Sequence, residues 1–531
     1  MPVLALHKLT RNALLVSLCL ATGLVPAPMA RAQTAAFTQS LAATASTDPA
    51  IADWYRKTGY EPLWTGADDA GRRTAFLAAV ATARDHGLPV ARYDSVALQA
   101  AMRAAITEGD RGRVEIEMTR AYLAWAHDLT SGALTPKRVD GGILREIDVI
   151  DPQILLTRIA KGDPQAVLDW LQPRSQVYLQ LMKAKLGLEA TIASGGWGAP
   201  VAAKALAPGD TGPEVIAPRD RLVRMGYLAP TAVARYDRGM QTAVTAFQLN
   251  HGLTADGTAG EGTITEINVG PGQRLKSVIV ALERERWMRI DRSARYVWVN
   301  LPEFRARIVD GGKTIFETRA VIGKNVPDQR TPEFSDAMEH MVINPSWGVP
   351  RSIIVKEYLP LLRQNRNAVG HLQVIDGRGR VVPRGSVDLS GSFPYGLRQP
   401  PSDGNALGKV KFMFPNANNI YLHDTPAKSL FDKEVRDFSH GCIRVADPFE
   451  LAQLLLSWQS DNAEAEFNAA LETGNETTVK LKRTLPVHLV YFTAYPDAKG
   501  RISYFRDIYG RDAALFEALA AAGVELADVR G

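Results

Sequence analysis

The sequence predicts a multidomain α+β protein with a helical N-terminal half and a mostly β C-terminal domain. Its 531 residues suffice for three or more domains of ordinary size. Apolar residues recur at helical spacing in the first half, whereas apolar and polar residues alternate from about Tyr296 onward. A stretch rich in glycine and proline at residues 191–213 predicts a linker between domains.

The first 32 residues have the features of a secretory signal peptide. Lys8 and Arg11 precede an apolar stretch, and residues 30–32 (ARA) offer a small-x-small cleavage site before Gln33. The apolar stretch is shorter than the roughly 20 residues that a membrane-spanning helix needs. An uncleaved N-terminal anchor is the alternative. In either case we expect the bulk of the chain to be exported to the periplasm, with no integral membrane span after cleavage.

The charge balance does not indicate nucleic-acid binding. The formal net charge of +5 falls to +2 without residues 1–32, because that segment carries three basic residues and no acidic one. The densest basic stretch, residues 284–295, is interrupted by acidic and aromatic residues and predicts a solvated amphipathic element. We therefore predict no nucleic-acid partner.

Residues 33–190 are predicted to form a helical domain. In one segment, four apolar residues recur at helical spacing and should pack one face inward. These residues are Met118, Tyr122, Trp125 and Leu129.

Residues 214–269 are predicted to form a small three-helix unit, followed by a connecting helix at 270–294. Met240 and Phe247 share one face of its central helix, and a turn at residues 252–257 precedes the third helix. The tract 243–248 (AVTAFQ), with the glycines that follow, resembles the small peptidoglycan-binding module. A helical spacer that no longer binds the wall is the alternative.

Residues 295–510 are predicted to form the mostly β domain, and residues 511–531 a helical tail. Residues 296–301, 305–309 and 315–322 should form antiparallel strands with a glycine-rich hairpin between the last two. Further strands are predicted at residues 410–414, 420–423, 478–481 and 488–493.

An insertion at residues 352–404 interrupts this domain. Ser352–Asn365 has a helical pattern, but the segment that follows, up to Gly404, shows no strong period. We predict a long irregular insertion that acts as a lid or substrate-binding loop. A disordered excursion is the alternative.

Cys442 is the expected nucleophile. It is one of two cysteines, and the other, Cys19, lies in the predicted signal peptide. The exported chain would keep a single thiol in an oxidising compartment, where no internal disulfide is then available. A small buried hydrophobic residue is the alternative. However, a lone thiol beside histidines is a liability there unless its chemistry is used.

His423, which ends a predicted strand 19 positions before Cys442, is the expected general base. Two neighbouring strand ends can place its imidazole beside the thiol and take the thiol proton. Gly441 permits a tight turn, so the amides of Gly441 and Cys442 can point at a developing oxyanion. His440 could position the substrate or the thiolate, or support the loop. One cysteine and two histidines are too few for a zinc site, so we predict neither a metal nor a cofactor.

His423 followed by residues 439–442 (SHGC) resembles the signature of the L,D-transpeptidases with a YkuD-type catalytic domain. Residues 405–412 (NALGKVKF) and 423–426 (HDTP) match this signature too. Residues 344–350 (NPSWGVP) and the Tyr491-Phe492 pair resemble the large YcbB-like periplasmic subgroup, which carries a helical scaffold domain, a peptidoglycan-binding module and a capping subdomain. Many smaller members have asparagine where this chain has Arg444.

The resemblance implies an enzyme that forms 3–3 cross-links in peptidoglycan and is inhibited by carbapenems. Cys442 would attack the amide before the terminal D-alanine of a tetrapeptide stem, release D-alanine and hold the stem as a thioester. The side-chain amine of another stem would resolve that thioester. The expected partners are peptidoglycan tetrapeptide stems and other cell-wall enzymes. Five residues are expected to bind the substrate: Arg444, Tyr421, Ser439, Trp347 and Asn405.

Three alternatives stay open. Water could resolve the same thioester, which would make the protein an L,D-carboxypeptidase, or another amine could, which would attach a protein to the wall. A wall-binding scaffold without catalytic activity belongs to a different class, but no residue of the cysteine motif is lost. For Arg444, a structural ion pair is the alternative to a substrate carboxylate.

Overall fold

The computed structural model describes residues 27–288 and 290–526. Most of the predicted signal peptide and the end of the predicted C-terminal tail lie outside these residues. No helix in the described ranges is long and apolar enough to cross a membrane. The chain divides into two units, one comprising residues up to Ala70 with Val96–Thr119, the other Gly71–Ser95 with the chain from Arg120 onward.

The N-terminal region is helical, as predicted. All four residues at helical spacing, from Met118 to Leu129, are buried. In the first unit, the buried carboxylate of Glu115 accepts hydrogen bonds from the Tyr55 hydroxyl and the Leu63 amide, each at 2.6 Å. The helices are α1 Ala27–Ala45, α2 Pro49–Lys57, α3 Ala70–Ala81, α4 Ser95–Ala104, α5 Glu108–Ser131, α6 Pro136–Val139, α7 Pro152–Lys161, α8 Pro164–Leu171 and α9 Gln176–Ala193.

The predicted three-helix unit is confirmed, and we call residues 201–268 the module. It contains α10 Ile216–Arg224, α11 Arg238–Asn250 and α12 Glu261–Asn268, and a longer helix, α13 Pro271–Trp287, follows it. Met240 and Phe247 are buried in its core, as their spacing predicts.

The prediction of a solvated element at residues 284–295 is wrong for its first residues. Arg284 and Arg286 are buried at the end of α13. Arg284 pairs with Asp512 at 2.9 Å and also with Glu333, and Arg286 pairs with Glu283 at 2.8 Å. Each buried cation thus has a carboxylate partner, which offsets the cost of removing it from water.

The C-terminal domain is built on a nine-stranded mixed sheet, which confirms the mostly β prediction. The strand order is β10-β3-β11-β9-β8-β4-β12-β1-β2, and an additional β2–β3 pairing closes the sheet on itself. The strands are β1 Tyr296–Asn300, β2 Arg305–Asp310, β3 Lys313–Gly323, β4 Phe334–Ile343, β5 Trp347–Gly348, β6 Gln373–Ile375, β7 Gly396–Gln399, β8 Val410–Met413, β9 Leu422–His423, β10 Asp437–Ser439, β11 Ile443–Val445, β12 Thr477–Val490, β13 Ala494–Pro496 and β14 Ile502–Tyr504.

The sequence predicted six of these fourteen strands, namely β1, β2, β3, β8, β9 and β12. Strands β1 to β3 form the predicted antiparallel hairpins. The two strands predicted at residues 478–481 and 488–493 are one strand, β12, whose pairing with β4 is irregular between Lys480 and Leu485. Strand β4 itself was not predicted.

Residues 347–404, which we call the cap, are ordered into a small subdomain, so the prediction of an irregular insertion is wrong. The predicted helix is confirmed as α14 Arg351–Ile353 and α15 Leu359–Gln364, joined by a π-helical turn at Ile354–Tyr358. Strands β5, β7 and β6 form a three-stranded sheet, and the cap has its own apolar core. Its core residues are far apart in sequence and meet only in the fold, so no local period indicates them.

The remaining helices lie on the C-terminal side of the cysteine motif. They are α16 Pro448–Ser457, α17 Ala463–Glu472 and α18 Arg511–Ala521, the last within the predicted helical tail.

Candidate active site

Three adjacent strands, β8, β9 and β11, carry the predicted site on one face. Lys411 lies opposite His423, and His423 lies opposite Arg444, so the three residues form one row across the sheet. Their neighbours Phe412 and Leu422 belong to the core on the other face. Because side chains alternate along a strand, the row faces away from that core. Lys411 was not among the predicted site residues. A lysine between the apolar residues Val410 and Phe412 of a strand does, however, indicate a charged group on the face opposite the core.

The Cys442 thiol lies at the start of the same face. It is half-buried, and its sulfur is 3.5 Å from the carbonyl oxygen of Asn419. The Tyr421 hydroxyl hydrogen-bonds to the thiol, and the Trp347 side chain of the cap hydrogen-bonds to Tyr421. The structure therefore brings the predicted residues Cys442, Tyr421 and Trp347 together.

Burial raises the pKa of the Cys442 thiol to about 11, opposed by hydrogen bonds with Tyr421 and by the nearby Arg444 charge. At neutral pH the thiol is therefore protonated in this conformation. Since the thiolate is the reactive form, a base must remove the proton during the reaction.

His423 is buried. Burial, together with the nearby charge of Arg444, lowers the pKa of its imidazole to about 3, although hydrogen bonds to the backbone of Asp424 and Leu407 oppose this shift. The Nδ1 atom lies 2.5 Å from the Asp424 carbonyl oxygen, and the ring is 5.6 Å from the Tyr421 ring in an edge-on arrangement. His423 is thus a neutral imidazole near the thiol, and among the described residues no hydrogen bond joins it to Cys442.

Gly441 makes the tight turn that the sequence predicts. Its φ is +113°, in the region that favours glycine, and a Cβ atom there would lie 3.2 Å from the Ile420 side chain. Its amide donates to the Ser439 hydroxyl at 3.1 Å, and its carbonyl accepts from the Thr331 hydroxyl at 2.7 Å. Of the two amides predicted to face an oxyanion, only that of Cys442 lacks a hydrogen-bond partner among the described residues.

Two predicted substrate-binding residues, Ser439 and Asn405, make hydrogen bonds within the protein. Ser439 is buried, and its hydroxyl donates to the Cys442 carbonyl at 2.5 Å. Asn405 is fully buried, and its amide donates to the carbonyls of Pro345 and Pro400, each at 3.0 Å. The polar side-chain atoms of both residues thus bind other parts of the protein in this structure, and their substrate-binding role stays a prediction. Asn405 joins the two ends of the cap.

His440 faces the cap rather than the thiol. Its Nε2 atom is 2.6 Å from a carboxylate oxygen of Glu357, in the π-helical turn. The neighbouring cap residue Lys356 forms an ion pair with Asp328 of the catalytic domain. Sequence analysis missed Glu357, which is 83 positions from His440 and belongs to no motif.

Arg444 is half-buried near the thiol and forms no ion pair with a carboxylate among the described residues. Its Nε atom is buried without a hydrogen-bond partner. Burial lowers the pKa of Arg444 and also that of Lys411. The structural ion pair considered for Arg444 is therefore not observed, and the row presents two cations that suit an anionic group of a ligand.

Three regions of this chain match models of known protein families. Residues 294–480 match the YkuD family model, described as "L,D-transpeptidase catalytic domain". Residues 49–184 match a "Scaffold domain", and residues 211–267 a "Putative peptidoglycan binding domain". The chain therefore contains an L,D-transpeptidase catalytic domain, a scaffold domain and a peptidoglycan-binding domain.

Individual relatives cover parts of the chain. A Haemophilus influenzae protein named "Putative L,D-transpeptidase" is 34% identical over 221 residues, which are 41% of this chain and 44% of that protein. The chain thus matches less than half the length of this curated relative. The crystal structure of the L,D-transpeptidase (residues 123–326) from Xylanimonas cellulosilytica covers 55% of this chain and 100% of its own at 16% identity, with a TM-score of 0.18.

Proposed function

We propose that this protein is a periplasmic L,D-transpeptidase that forms 3–3 cross-links in peptidoglycan through a Cys442 thioester. The observation that carries the proposal is the position of the Cys442 thiol beside Tyr421, with neutral His423 and unpaired Arg444 in the adjacent row. This arrangement lies in a domain of the L,D-transpeptidase catalytic type.

The row of cations supports an anionic substrate. A tetrapeptide stem ends in a carboxylate on D-alanine, one residue beyond the bond to be broken. Arg444 offers a planar guanidinium that can bind a carboxylate through two parallel hydrogen bonds. Lys411, in the same row, adds a second positive charge. We infer that this pair orients the stem so that its scissile carbonyl lies over the thiol.

The first half-reaction forms the thioester. His423, neutral at physiological pH, takes the proton of the Cys442 thiol as the sulfur attacks the carbonyl carbon. The Cys442 amide stabilises the negative charge on the carbonyl oxygen. The amide bond then breaks, the proton passes to the departing nitrogen, and D-alanine leaves. Hydrogen bonds in sites without substrate are often not yet in their catalytic arrangement, which fits the present contacts of His423.

The second half-reaction transfers the stem. The side-chain amine of the third residue in another stem attacks the thioester carbon and loses a proton to His423. The carbon–sulfur bond breaks, and the thiol regains its proton. A new amide joins the two stems, and no nucleotide is consumed, because the thioester keeps the energy of the original amide.

The accessory domains support an enzyme that works on the wall. The peptidoglycan-binding domain can hold the catalytic domain on its polymeric substrate, which raises the local concentration of stems. We propose that the protein is exported by its signal peptide, that it contributes to wall biogenesis and cell shape, and that carbapenems react with Cys442.

Incubation of the purified protein with tetrapeptide muropeptides tests the proposed function. We expect cross-linked dimers with release of D-alanine, and no product with the Cys442→Ala variant. Tripeptide monomers without dimers would show an L,D-carboxypeptidase instead. Unchanged tetrapeptide in the presence of folded protein would overturn the proposal.

A further inference from the structure

We propose that Glu357 of the cap is a positioning residue that orients the imidazole of His440, so that the closed cap completes the active site. This inference rests on the proposed function, because it assigns the cap a role in the same reaction. The observation is the contact of 2.6 Å between the Glu357 carboxylate and His440 Nε2. His440 lies two positions before the nucleophile.

The local structure of the cap directs Glu357 toward the catalytic domain. The residue belongs to the π-helical turn Ile354–Tyr358, in which Ile354 is buried in the cap core. Single π-helical turns inside helices occur frequently at functional sites, because the extra residue changes which side chains face a given direction. Lys356 and Glu357, which are adjacent on this turn, both reach the catalytic domain.

The contact determines which ring nitrogen of His440 carries a hydrogen. A carboxylate only accepts hydrogen bonds, so Nε2 must be the donor. In the neutral ring, Nδ1 is then the nitrogen with a free lone pair. A carboxylate partner fixes the tautomer and the orientation of a functional histidine in this way in many sites. When the cap moves away, His440 loses this partner, and its ring is free to rotate.

The exposure of the pair argues against a mainly stabilising role. The side chains of His440 and Glu357 are 29% and 44% exposed. Ion pairs that are this accessible contribute about 0–1 kcal/mol to stability. Such a pair does little to hold the cap closed, but it favours one orientation of the His440 ring, two positions before the nucleophile.

The neighbouring ion pair provides a matched control. Lys356 and Asp328 join the same turn to a different loop of the catalytic domain, and their side chains are also exposed. Lys356→Met therefore removes one cap contact and keeps the Glu357 carboxylate that binds His440, although the charge of Asp328 also acts on His440. If Glu357 acted only by holding the cap closed, the two substitutions would have similar effects.

The test measures the rate at which a carbapenem acylates Cys442, by intact mass under single-turnover conditions, for the full-length protein and its variants. We expect Glu357→Ala to slow acylation by up to about fivefold, because a pair worth at most about 1 kcal/mol can bias the orientation of the ring by no more than that factor. Glu357→Gln, which keeps an accepting oxygen, should recover most of the rate, and Lys356→Met should stay within about twofold of the parent. The Glu357→Ala, His440→Ala double variant should be no slower than His440→Ala alone.

Nitrogen-15 NMR of the histidine rings supplies a readout that does not depend on activity. We expect the His440 signal, assigned with His440→Ala, to show a proton on Nε2 in the parent and a mixture of tautomers in Glu357→Ala. Equal rate losses for Lys356→Met and Glu357→Ala, additive losses in the double variant, or an unchanged His440 signal would overturn the inference. Failure of the parent protein to react would instead count against the proposed function, and the NMR result would still decide the Glu357–His440 contact.

Discussion

The catalytic domain holds its two neighbours, the module and the cap, by different kinds of contact. At the module, His251 is buried and its ring stacks on Tyr504 with 5.7 Å between centroids, while the guanidinium of Arg501 lies 4.2 Å from the Tyr227 ring centroid. At the cap, the contacts beyond the Trp347–Tyr421 hydrogen bond include the half-exposed pair of Glu357 with His440 and the exposed pair of Lys356 with Asp328.

This difference separates a fixed attachment from one that can open. Stacked buried rings lose apolar contact when they separate, and water does not replace that contact. Exposed ion pairs exchange one polar partner for water at little cost. We therefore expect the module to stay docked while the cap opens around Asn405, which joins its two ends, and admits the stem peptides.

The largest expected effect concerns Asn405, which joins the two ends of the cap. Asn405→Ala would leave the carbonyls of Pro345 and Pro400 and the Leu407 amide without their partner in a buried site. We expect the free energy of unfolding to fall by about 2–4 kcal/mol, because each lost hydrogen bond leaves a buried polar group unsatisfied. Hydrogen exchange should become faster in the cap and stay unchanged in the module.

The exposed Asn475→Ala is the control for this substitution, and it should change stability by no more than about 0.5 kcal/mol. If hydrogen exchange in the cap were as slow in Asn405→Ala as in the control variant, Asn405 would not hold the two ends of the cap together.

A somewhat smaller effect is expected at the module. Tyr504→Ala removes the ring that stacks on His251 and that also lies 4.6 Å from the Arg274 guanidinium. We expect a loss of about 1–3 kcal/mol in unfolding free energy and faster exchange in the module, because aromatic and cation–π contacts disappear together. Tyr504→Phe, which keeps the ring, should behave like the parent. Unchanged module exchange in Tyr504→Ala would contradict a docked module.

Acid should destabilise the module and the catalytic domain, because each contains a buried histidine. Burial, aided by Arg274, lowers the pKa of His251 well below its ordinary value of 6.5, and burial lowers that of His423 to about 3. Below pH 6.5 the unfolded chain binds protons that these folded histidines do not. Stability therefore falls as the pH drops from 6.5 toward 3, by at most about 1.4 kcal/mol per pH unit for each histidine.

His251→Phe separates the contribution of the histidine in the module from that of His423 in the catalytic domain. Phenylalanine keeps a ring beside Phe247, whose centroid is 3.8 Å away, but binds no proton. Urea unfolding at several pH values should give a shallower dependence in this range for the variant than for the parent. An unchanged slope would show that His251 takes up its proton equally well in the folded protein.

The smallest expected effect is that of salt. Raising the ionic strength to about 1 M shortens the screening length to about 3 Å and weakens exposed ion pairs. We expect the free energy of cap opening, measured by hydrogen exchange, to fall by about 1 kcal/mol or less, since the three pairs involved, Glu357–His440, Lys356–Asp328 and Asp403–Lys409, are all at least partly exposed. Module exchange should not change. If salt accelerated hydrogen exchange equally in the cap and in the module, the two would not differ in how they are attached to the catalytic domain.

The sequence could predict features that depend on local patterns. Helical spacing indicated the burial of residues from Met118 to Leu129, and alternation indicated strands β1 to β3. The cysteine tract and His423 were recognised from short sequence motifs. Some residues in such motifs are required by the local backbone conformation, as Gly441 is by its positive φ. The resemblance to a catalytic-domain family rested on these motifs.

Other features depend on pairing between distant segments and could not be predicted in this way. Strand β4 has its buried residues Phe334, Met338 and Met341 at a spacing typical of a helix, and its pairing with β8 and β12 overrides that pattern. Asn405 belongs to a recognisable motif, but its contacts across the cap cannot be read from that motif. Glu357 meets His440 only because the cap folds back over the domain.

Intact-mass analysis after exposure to a carbapenem tests the central claim most directly. If Cys442 is the nucleophile, the full-length protein should gain the mass of one carbapenem, peptide mapping should place it on residue 442, and the Cys442→Ala variant should gain none. A folded parent protein that gains no mass, or a Cys442→Ala variant that is modified equally well, would contradict the account.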